Sequence, residues 1–258
     1  MKILKSLLLV SLLFTISQAR GKRRDFSAII DEAHQGIAAV VVPGEGGIGI
    51  TVGTAFFVSD EYLITAAHVV RGQRVTGLYV PAFEGGTTRI IGSYAMAYET
   101  VEISDEYDVA LLRIVGKARR AVKPFILAIG TLHPGREVAV TGFGSLADFP
   151  LTFTGFVASQ GSMHFGAGLR QAQRRPTFGE KSSVFVIDRP IPAGFSGSPV
   201  YLRDTGVVYG IAAEIRPDLN SNTPAMSLAH PLVKAKEFLD KHKIAYRIVA
   251  PEDAFVNP

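Results

Sequence analysis

The sequence of 258 residues contains no cysteine. No disulfide can form, so the fold must be stabilised by its packed core alone. Thiolate metal sites are excluded, and no pair of histidines has the spacing of metal ligands. We therefore expect no metal and no organic cofactor.

The chain also has only a small excess of positive over negative charge. The chain has 27 Lys and Arg against 23 Asp and Glu, a formal net charge of +4. If an N-terminal leader that contains Lys2 and Lys5 is removed, 25 basic and 23 acidic residues remain, which gives a net charge of +2. A balance this close to zero gives no electrostatic argument for nucleic-acid binding, and we expect none.

Long apolar runs are missing as well. The N-terminal apolar stretch, residues 6–16, has 11 residues, whereas a membrane-spanning helix needs about 20, so we expect no stable membrane span. Two lysines precede this stretch, and residues 17–19 offer the small side chains that a signal peptidase reads. We interpret residues 1–19 as a signal peptide of an exported protein, periplasmic or secreted. The four cations in residues 20–24 hinder translocation, so an uncleaved anchor or a different cut site remains the alternative.

Three short motifs occur in the order TAAHVV around His68, DVALL from Asp108, and GFSGSPV around Ser196. A serine hydroxyl is a poor nucleophile at neutral pH. It needs an imidazole to accept its proton and a carboxylate to orient that imidazole. Each motif alone is common in cores, turns and loops, but together they predict that His68, Asp108 and Ser196 are catalytic.

The sequence around His68 and Asp108 fits these roles. Residues 56–70 contain two apolar runs on either side of a polar hinge, which predicts a hairpin whose second strand leads to His68. Asp108 opens a mostly apolar strand, where a carboxylate without a hydrogen bond is costly, so His68 is its natural partner. Asp105 is the nearest rival, but it precedes the apolar run and we expect it in solvent.

Glycines flank the predicted nucleophile. Gly194 and Gly197 allow the tight turn that points backbone N–H groups inward, as an oxyanion hole requires, and the amides of Gly194 and Ser196 are the candidates. The segment GFSGS lacks the final glycine of G-x-S-x-G, and the chain order is His, Asp, Ser. Both features disfavour an esterase on an α/β-hydrolase fold.

Over residues 47–241 the chain resembles the chymotrypsin-like (trypsin-fold) serine peptidases, and within them the bacterial branch that includes the HtrA/Deg proteases. Besides the three motifs, the resemblance rests on FTGFVAS at 153–159, GIAA at 210–213, and a spaced pattern of Asp188, Ile191, Gly194, Ser196, Gly197 and Pro199. It implies an all-β fold of two antiparallel six-stranded β-barrels, with the active site between them and a C-terminal helix. The 17 residues after Lys241 are too few for the peptide-binding domain that many HtrA proteases append.

Strand patterns agree with this division. We predict a first barrel at 36–123, with strands at 36–42, 48–58, 62–65, 75–80, 89–97 and 109–115. The second barrel, at 124–241, would have strands at 137–142, 152–159, 183–187, 200–202, 207–213 and 226–229, then a helix at 231–241 with Pro231 in its first position. A basic N-terminal extension (20–35) and a tail (242–258) would flank the barrels.

The resemblance also implies a substrate pocket with Pro190 at its base and Ala213, Glu214 and Ile215 in its wall. Without a carboxylate at the base, an Arg or Lys side chain of the substrate would be buried unpaired, so a small or medium apolar residue should precede the scissile bond. An inward Glu214 would reverse this preference. Many relatives have an aspartate where this chain has Phe195, and that aspartate pairs with a new N-terminus after cleavage; this activation route is not expected here.

The sequence thus predicts an exported serine endopeptidase that acts on protein or peptide substrates through an acyl-enzyme. The alternative is a polypeptide-binding module on the same fold that does not turn its ligand over. The complete set of three residues argues against that alternative. Neither the physiological substrate nor the oligomeric state follows from the sequence.

Overall fold

The structure is a computed structural model that describes residues 24–44, 49–72, 77–84, 89–116, 122–130, 132–145, 149–162, 183–217 and 224–250. The predicted signal peptide, residues 1–19, lies outside these ranges. None of the helices within them is long and apolar enough to cross a membrane.

The first half of the chain forms an antiparallel sheet of seven strands. They are β1 (Ile37–Pro43), β2 (Gly49–Phe57), β3 (Tyr62–Thr65), β4 (Gly77–Phe83), β5 (Ile90–Met96), β6 (Tyr98–Ser104) and β7 (Val109–Ile114). Their order is β5-β4-β1-β2-β3-β7-β6, so β5 and β6 are the outer strands. Because only Ala97 separates these two strands in the chain, one bent segment connects the two ends of the sheet.

The second half contains eight strands: β8 (Ile126–Ala128), β9 (Glu137–Gly142), β10 (Leu151–Ser162), β11 (Ser183–Ile187), β12 (Pro199–Leu202), β13 (Val208–Pro217), β14 (Pro224–Pro231) and β15 (Arg247–Val249). Six of them follow the order β12-β9-β10-β11-β14-β13, and pairing of β12 with β13 closes this barrel. The short strands β8 and β15 extend it in parallel pairing. The predicted all-β fold is confirmed, with one closed six-stranded barrel in the second half of the chain and an antiparallel sheet of seven strands in the first half.

Three elements of the sheets escaped prediction. Strand β6 has no fully buried residue, so no apolar run marks it, and the first sheet has seven strands instead of six. Strands β8 and β15 have three residues each, too few to show a period. Strand β15 lies within the segment 242–258 that was predicted to be a tail.

The core joins the two sheets. One cluster of buried side chains belongs to the first sheet and its flanking segments, and a second cluster belongs to the second half of the chain. A third cluster contains residues from both, including Phe56 of β2 and Tyr201 of β12. Phe125 lies between these two rings, with its centroid 5.7 Å from that of Phe56 and 6.2 Å from that of Tyr201. The two sheets therefore share a buried interface.

Helix α1 (Phe26–Gln35) occupies most of the segment that the sequence assigned to a basic extension. The Asp25 carboxylate accepts the Ser27 N–H at 3.1 Å and caps the helix. Ile29 and Ala33, one turn apart, are buried in the cluster that joins the sheets. With only one short apolar stripe, the helix has no strong sequence signal.

The C-terminal helix, α3 (Val233–Lys241), follows β14. The predicted start at Pro231 is wrong, because Pro231 pairs with Gly210 as the last residue of β14. Strand pairing with β13 thus delays the helix by two residues.

Candidate active site

His68 follows the hairpin of β2 and β3. Ser59 Oγ accepts the Tyr62 N–H at 3.2 Å and closes the turn between the two strands. His68 lies in the short helix α2 (Ala67–Val70) that follows β3, one turn beyond the strand that was predicted to deliver it. Ala66 and Ala67 are fully buried, whereas the His68 side chain is 34% exposed and can reach a substrate.

His68 and Asp108 are joined by two hydrogen bonds. Asp108 Oδ1 accepts the backbone N–H of His68 at 2.9 Å, and Asp108 Oδ2 lies 2.7 Å from His68 Nδ1. A carboxylate can only accept, so Nδ1 carries the hydrogen in this contact. In the neutral ring Nε2 then holds the lone pair, which is the arrangement of a general base.

Asp108 is held in an uncommon backbone conformation. Its φ is +47°, in the left-handed region that few residues other than glycine adopt. Strain of this kind concentrates at functional sites. The rival, Asp105, has a 66% exposed side chain and forms an ion pair with Arg71. The structure thus brings Asp108 to His68 and leaves Asp105 at the surface.

Ser196 lies in the turn before β12, next to the first sheet. The Thr54 N–H of β2 donates to Ser196 O at 2.8 Å. Ser196 Oγ donates to the Ala213 carbonyl of β13 at 3.2 Å and, within the described part of the chain, makes no hydrogen bond to His68. A Cβ on Gly197 would lie 2.9 Å from Ala66 N, so Ser196 lies beside the segment that carries His68, with the serine hydroxyl bonded to β13.

The two amides predicted for the oxyanion hole have no acceptor. Among the described residues, neither the Gly194 N–H nor the Ser196 N–H donates a hydrogen bond. Gly194 has a φ of +93°, and a Cβ there would lie 2.5 Å from Phe143 O, so only glycine fits. These amides are available to a substrate oxygen.

A small, partly open pocket lies beside Ser196. Its lining is mostly apolar and consists of Ile191, Pro192, Phe195, Ser196, Ala212, Ala213, Ser227 and Leu228. Of the four predicted pocket residues, Ala213 lines it. Glu214 and Ile215 belong to β13, and their side chains are outside the described part of the structure.

Pro190 is exposed and does not line this pocket; Ile191 does. Asp188 Oδ1 accepts the Phe156 N–H at 2.8 Å, and this bond fixes the turn before Ile191 against β10. The Ile191 N–H then donates to Ser227 Oγ at 2.9 Å, and the Ile191 side chain is 4% exposed. Pro190, predicted at the base of the pocket, is thus replaced in the lining by Ile191, one residue further along the chain.

Ser227 and Leu228 were missed by sequence reasoning. The β13–β14 register pairs Ser227 with Ile215 and Leu228 with Glu214, which brings both residues to the pocket. No local motif marks them, and only the strand pairing could have found them. No acidic side chain lines the pocket in the described part of the chain.

Phe195 is part of the core. It is 1% exposed and packs edge-to-face on Phe153, with ring centroids 5.3 Å apart. A phenyl ring in this place cannot form the ion pair that a carboxylate would form with an ammonium group. Within the described residues, no three His, Asp or Glu side chains are grouped so that they could hold a metal ion.

Comparison with known proteins gives a family and a fold. The model of the trypsin-like peptidase domain matches residues 53–211, a range that includes His68, Asp108 and Ser196. Comparison of the sequence with curated proteins gave no match.

The solved structures that are similar to this chain include two of AlgW and one of Rv3671c. The HtrA-type protease AlgW, as a serine-to-alanine variant with tripeptide, has 18% identity and a TM-score of 0.61 over 84% of this chain and 63% of its own. AlgW with decapeptide has 16% identity and a TM-score of 0.63, over 84% and 67%. Rv3671c from M. tuberculosis H37Rv, in an inactive form, has 15% identity and a TM-score of 0.58, over 86% and 94%. At these identities the similarity establishes the fold, and this chain spans about two thirds of the AlgW chains.

Proposed function

We propose that this chain, which belongs to the family of trypsin-like peptidases, is a serine endopeptidase with His68, Asp108 and Ser196 as catalytic residues. The observation that carries this proposal is the pair of hydrogen bonds by which Asp108 holds the backbone and the ring of His68. Two amides without acceptors beside Ser196 add the second requirement of acyl transfer.

The proposed reaction begins at Ser196. Its Oγ attacks the carbonyl carbon of the scissile peptide bond while His68 Nε2 accepts the hydroxyl proton. Asp108 stabilises the imidazolium that forms and keeps Nδ1 protonated. His68 then gives the proton to the leaving amine, the C–N bond breaks, and the acyl group remains on Ser196. Water, deprotonated by His68, hydrolyses the ester and restores the serine.

Attack requires Ser196 Oγ to leave the Ala213 carbonyl. A rotation about the serine Cα–Cβ bond carries Oγ from one staggered position to another without backbone movement. The amides of Gly194 and Ser196 would then bind the oxyanion. Such preorganised donors are worth about 10² to 10³ in rate for each donor.

The pocket supports a preference for small or medium apolar residues before the scissile bond. Ile191, Ala213 and Leu228 present apolar surface to it. A Val, Ala or Leu side chain would gain from burial there, whereas a buried cation would lack a partner. We propose unfolded or extended segments of proteins as substrates, since AlgW, a structural neighbour, has been solved with a decapeptide.

Activation by a newly cleaved N-terminus is not part of this proposal. Phe195 occupies the position that would need a carboxylate, and its ring is buried against Phe153. The protein should therefore be active once its leader is removed. An activity that appears only after trimming to one defined new N-terminus would contradict this.

We further propose that the protein is exported, to the periplasm or the cell exterior, by the leader at residues 1–19. Its support is the basic start, the short apolar stretch and the small residues before position 20. N-terminal sequencing of the mature protein tests it, and retention of residue 1 in a membrane fraction would favour the uncleaved anchor.

Labelling with a fluorophosphonate probe tests the catalytic assignment. The probe should form one covalent adduct on Ser196, identified by peptide mass spectrometry, and cleavage of a protein substrate should stop as the adduct forms. A Ser196→Ala variant should take up no label.

The bond of Ser196 Oγ to Ala213 O favours a second candidate, a binding module that holds polypeptide without turnover. In that case the wild-type protein would bind peptides but would neither label nor release products. The labelling experiment therefore separates the two functions.

A further inference from the structure

Thr54 lies where the two sheets meet, and its side chain is fully buried. It belongs to β2, yet its hydroxyl contacts two segments of the second half of the chain. Thr54 Oγ1 accepts the Phe143 N–H at 2.9 Å and donates to Gly194 O at 3.1 Å. A hydroxyl has one hydrogen, so its donor capacity is used in the bond to Gly194.

The peptide groups on both sides of Gly194 accept hydrogen bonds from residues that lie outside the turn containing Ser196. The carbonyl of Ala193, in the preceding peptide, accepts the Ser145 N–H at 3.0 Å. The carbonyl of Gly194 itself, in the following peptide, accepts the Thr54 hydroxyl. Ser145 belongs to the same short segment as Phe143, whose amide is bonded to Thr54. One hydroxyl therefore holds the second peptide directly and supports the segment that holds the first.

The direction of the Gly194 N–H follows from these bonds. In a trans peptide the N–H points away from the carbonyl, so fixing the Ala193 carbonyl on Ser145 fixes the Gly194 N–H on the opposite side. Gly194 has no side chain to anchor it and has a φ of +93°. Its hydrogen bonds, more than its own sterics, determine which way this amide points.

We propose that Thr54 is a positioning residue that holds the Gly194 N–H in the direction of an oxyanion donor. This inference rests on the proposed function, because it needs Ser196 to be the nucleophile. The bond from the Thr54 backbone N–H to Ser196 O does not involve the hydroxyl. Loss of the hydroxyl should therefore disturb the oxyanion hole and leave Ser196 in place.

Two pairs of variants isolate the hydroxyl. Thr54→Val is nearly isosteric with the native residue, and Thr54→Ser and Thr54→Ala differ from each other by one oxygen atom. We expect Thr54→Val to lower kcat by about 10- to 100-fold, less than the ~10²–10³ for loss of a donor itself. KM should stay within about threefold, because ground-state binding does not use the donor. Thr54→Ser should keep kcat within about threefold, whereas Thr54→Ala should resemble Thr54→Val.

A peptide aldehyde gives a readout that a merely structural role would not move. It forms a tetrahedral adduct with the serine, so its inhibition constant should rise in Thr54→Val by the factor by which kcat/KM falls. Thr141→Val is the matched control. Thr141 is also fully buried, and its hydroxyl contacts Tyr201 OH at 2.6 Å and Thr152 Oγ1 at 2.8 Å. This variant should lose stability but keep kcat within about twofold.

Three results would overturn the inference: an unchanged kcat in a folded Thr54→Val, an equal loss in Thr54→Ser and Thr54→Val, or an effect confined to KM. If Thr54→Val fails to fold, the Ser and Ala pair decides the question. If Thr54→Ala also fails to fold while Thr54→Ser folds, the role of Thr54 is structural and the inference is wrong. A wild-type protein that takes up no fluorophosphonate would instead contradict the proposed function.

Discussion

The two halves of the proposed site are held in different ways. On the side of the first sheet, His68 contacts Asp108 through bonds of 2.9 and 2.7 Å, and the Asp108 side chain is 3% exposed. On the side of the second barrel, Ser196 Oγ is bonded to the Ala213 carbonyl, and the amides of Gly194 and Ser196 have no acceptor among the described residues. The proposed base is already oriented by its carboxylate, whereas the proposed nucleophile is bonded to a backbone carbonyl and the proposed oxyanion donors have no acceptor among the described residues.

This difference separates two kinds of requirement. The base must be in one tautomer before substrate arrives, and two bonds to one buried carboxylate achieve that. The donors must face a charge that exists only in the transition state, so they have to be left without partners in the resting protein. Variants on the first side should change protonation, and variants on the second should change transition-state binding.

The largest expected effect is that of Ser196→Ala. Without Oγ no acyl-enzyme can form, and kcat should fall by roughly 10⁴ or more. Alanine fits the space of serine, so thermal unfolding should be near that of the wild type. Hydrolysis of a protein substrate, followed by electrophoresis, measures the loss. Turnover within about tenfold of wild type would refute the nucleophile.

Asp108→Asn tests the other side. The amide can hold the imidazole only in the tautomer that cannot accept the serine proton, and kcat near neutral pH should fall by about 10⁴. Asp105→Asn is the control. It removes one exposed ion pair with Arg71, a contact of the kind that contributes about 0 to 1 kcal/mol, and kcat should stay normal. The reverse ranking of the two variants would move the orienting acid to Asp105.

The sequence was sufficient to single out the residues proposed to be catalytic and insufficient for the contacts that the second half of the proposed site makes across the fold. His68, Asp108 and Ser196 each lie in a motif whose flanking residues are local in the chain, so order and context pointed to them. The φ of Asp108, the bond of Ser196 Oγ to Ala213 O and the bonds of Thr54 depend on pairings between distant segments. The pocket shows the same limit, because Ser227 reaches it through the β13–β14 register.

Substrate preference tests the second barrel through its pocket. Peptides with Val, Ala or Leu before the scissile bond should be cleaved about 100-fold or more faster than peptides with Arg or Lys, since a buried unpaired cation costs several kcal/mol. A fluorogenic peptide library measures this, with kcat/KM for each residue. Ile191→Ala should shift the preference toward longer apolar side chains by about 10-fold. Predominant cleavage after Arg or Lys that is lost in Glu214→Gln would place an acid in the pocket.

The smallest expected effect concerns helix α1, whose Ile29 and Ala33 are buried in the cluster that joins the two sheets. Burial lowers the pKa of the His34 imidazole, and nearby Asp31 opposes the shift. The unfolded chain, with an ordinary histidine pKa of about 6.5, therefore binds more protons than the folded protein at mildly acid pH. Stability from this group is complete above pH of about 6.5 and is lost as the pH falls through that value toward the lower folded pKa. His34→Gln should therefore flatten the fall of Tm between pH 7.5 and 5.5, by at most about 4 °C for a chain of this length.

His133→Gln is the matched control, because His133 is exposed, and its Tm profile should follow the wild type. Equal slopes in wild type and His34→Gln would show that the docking of α1 is not sensitive to this proton, and a change in kcat with Tm unaltered would mean that α1 acts on the site.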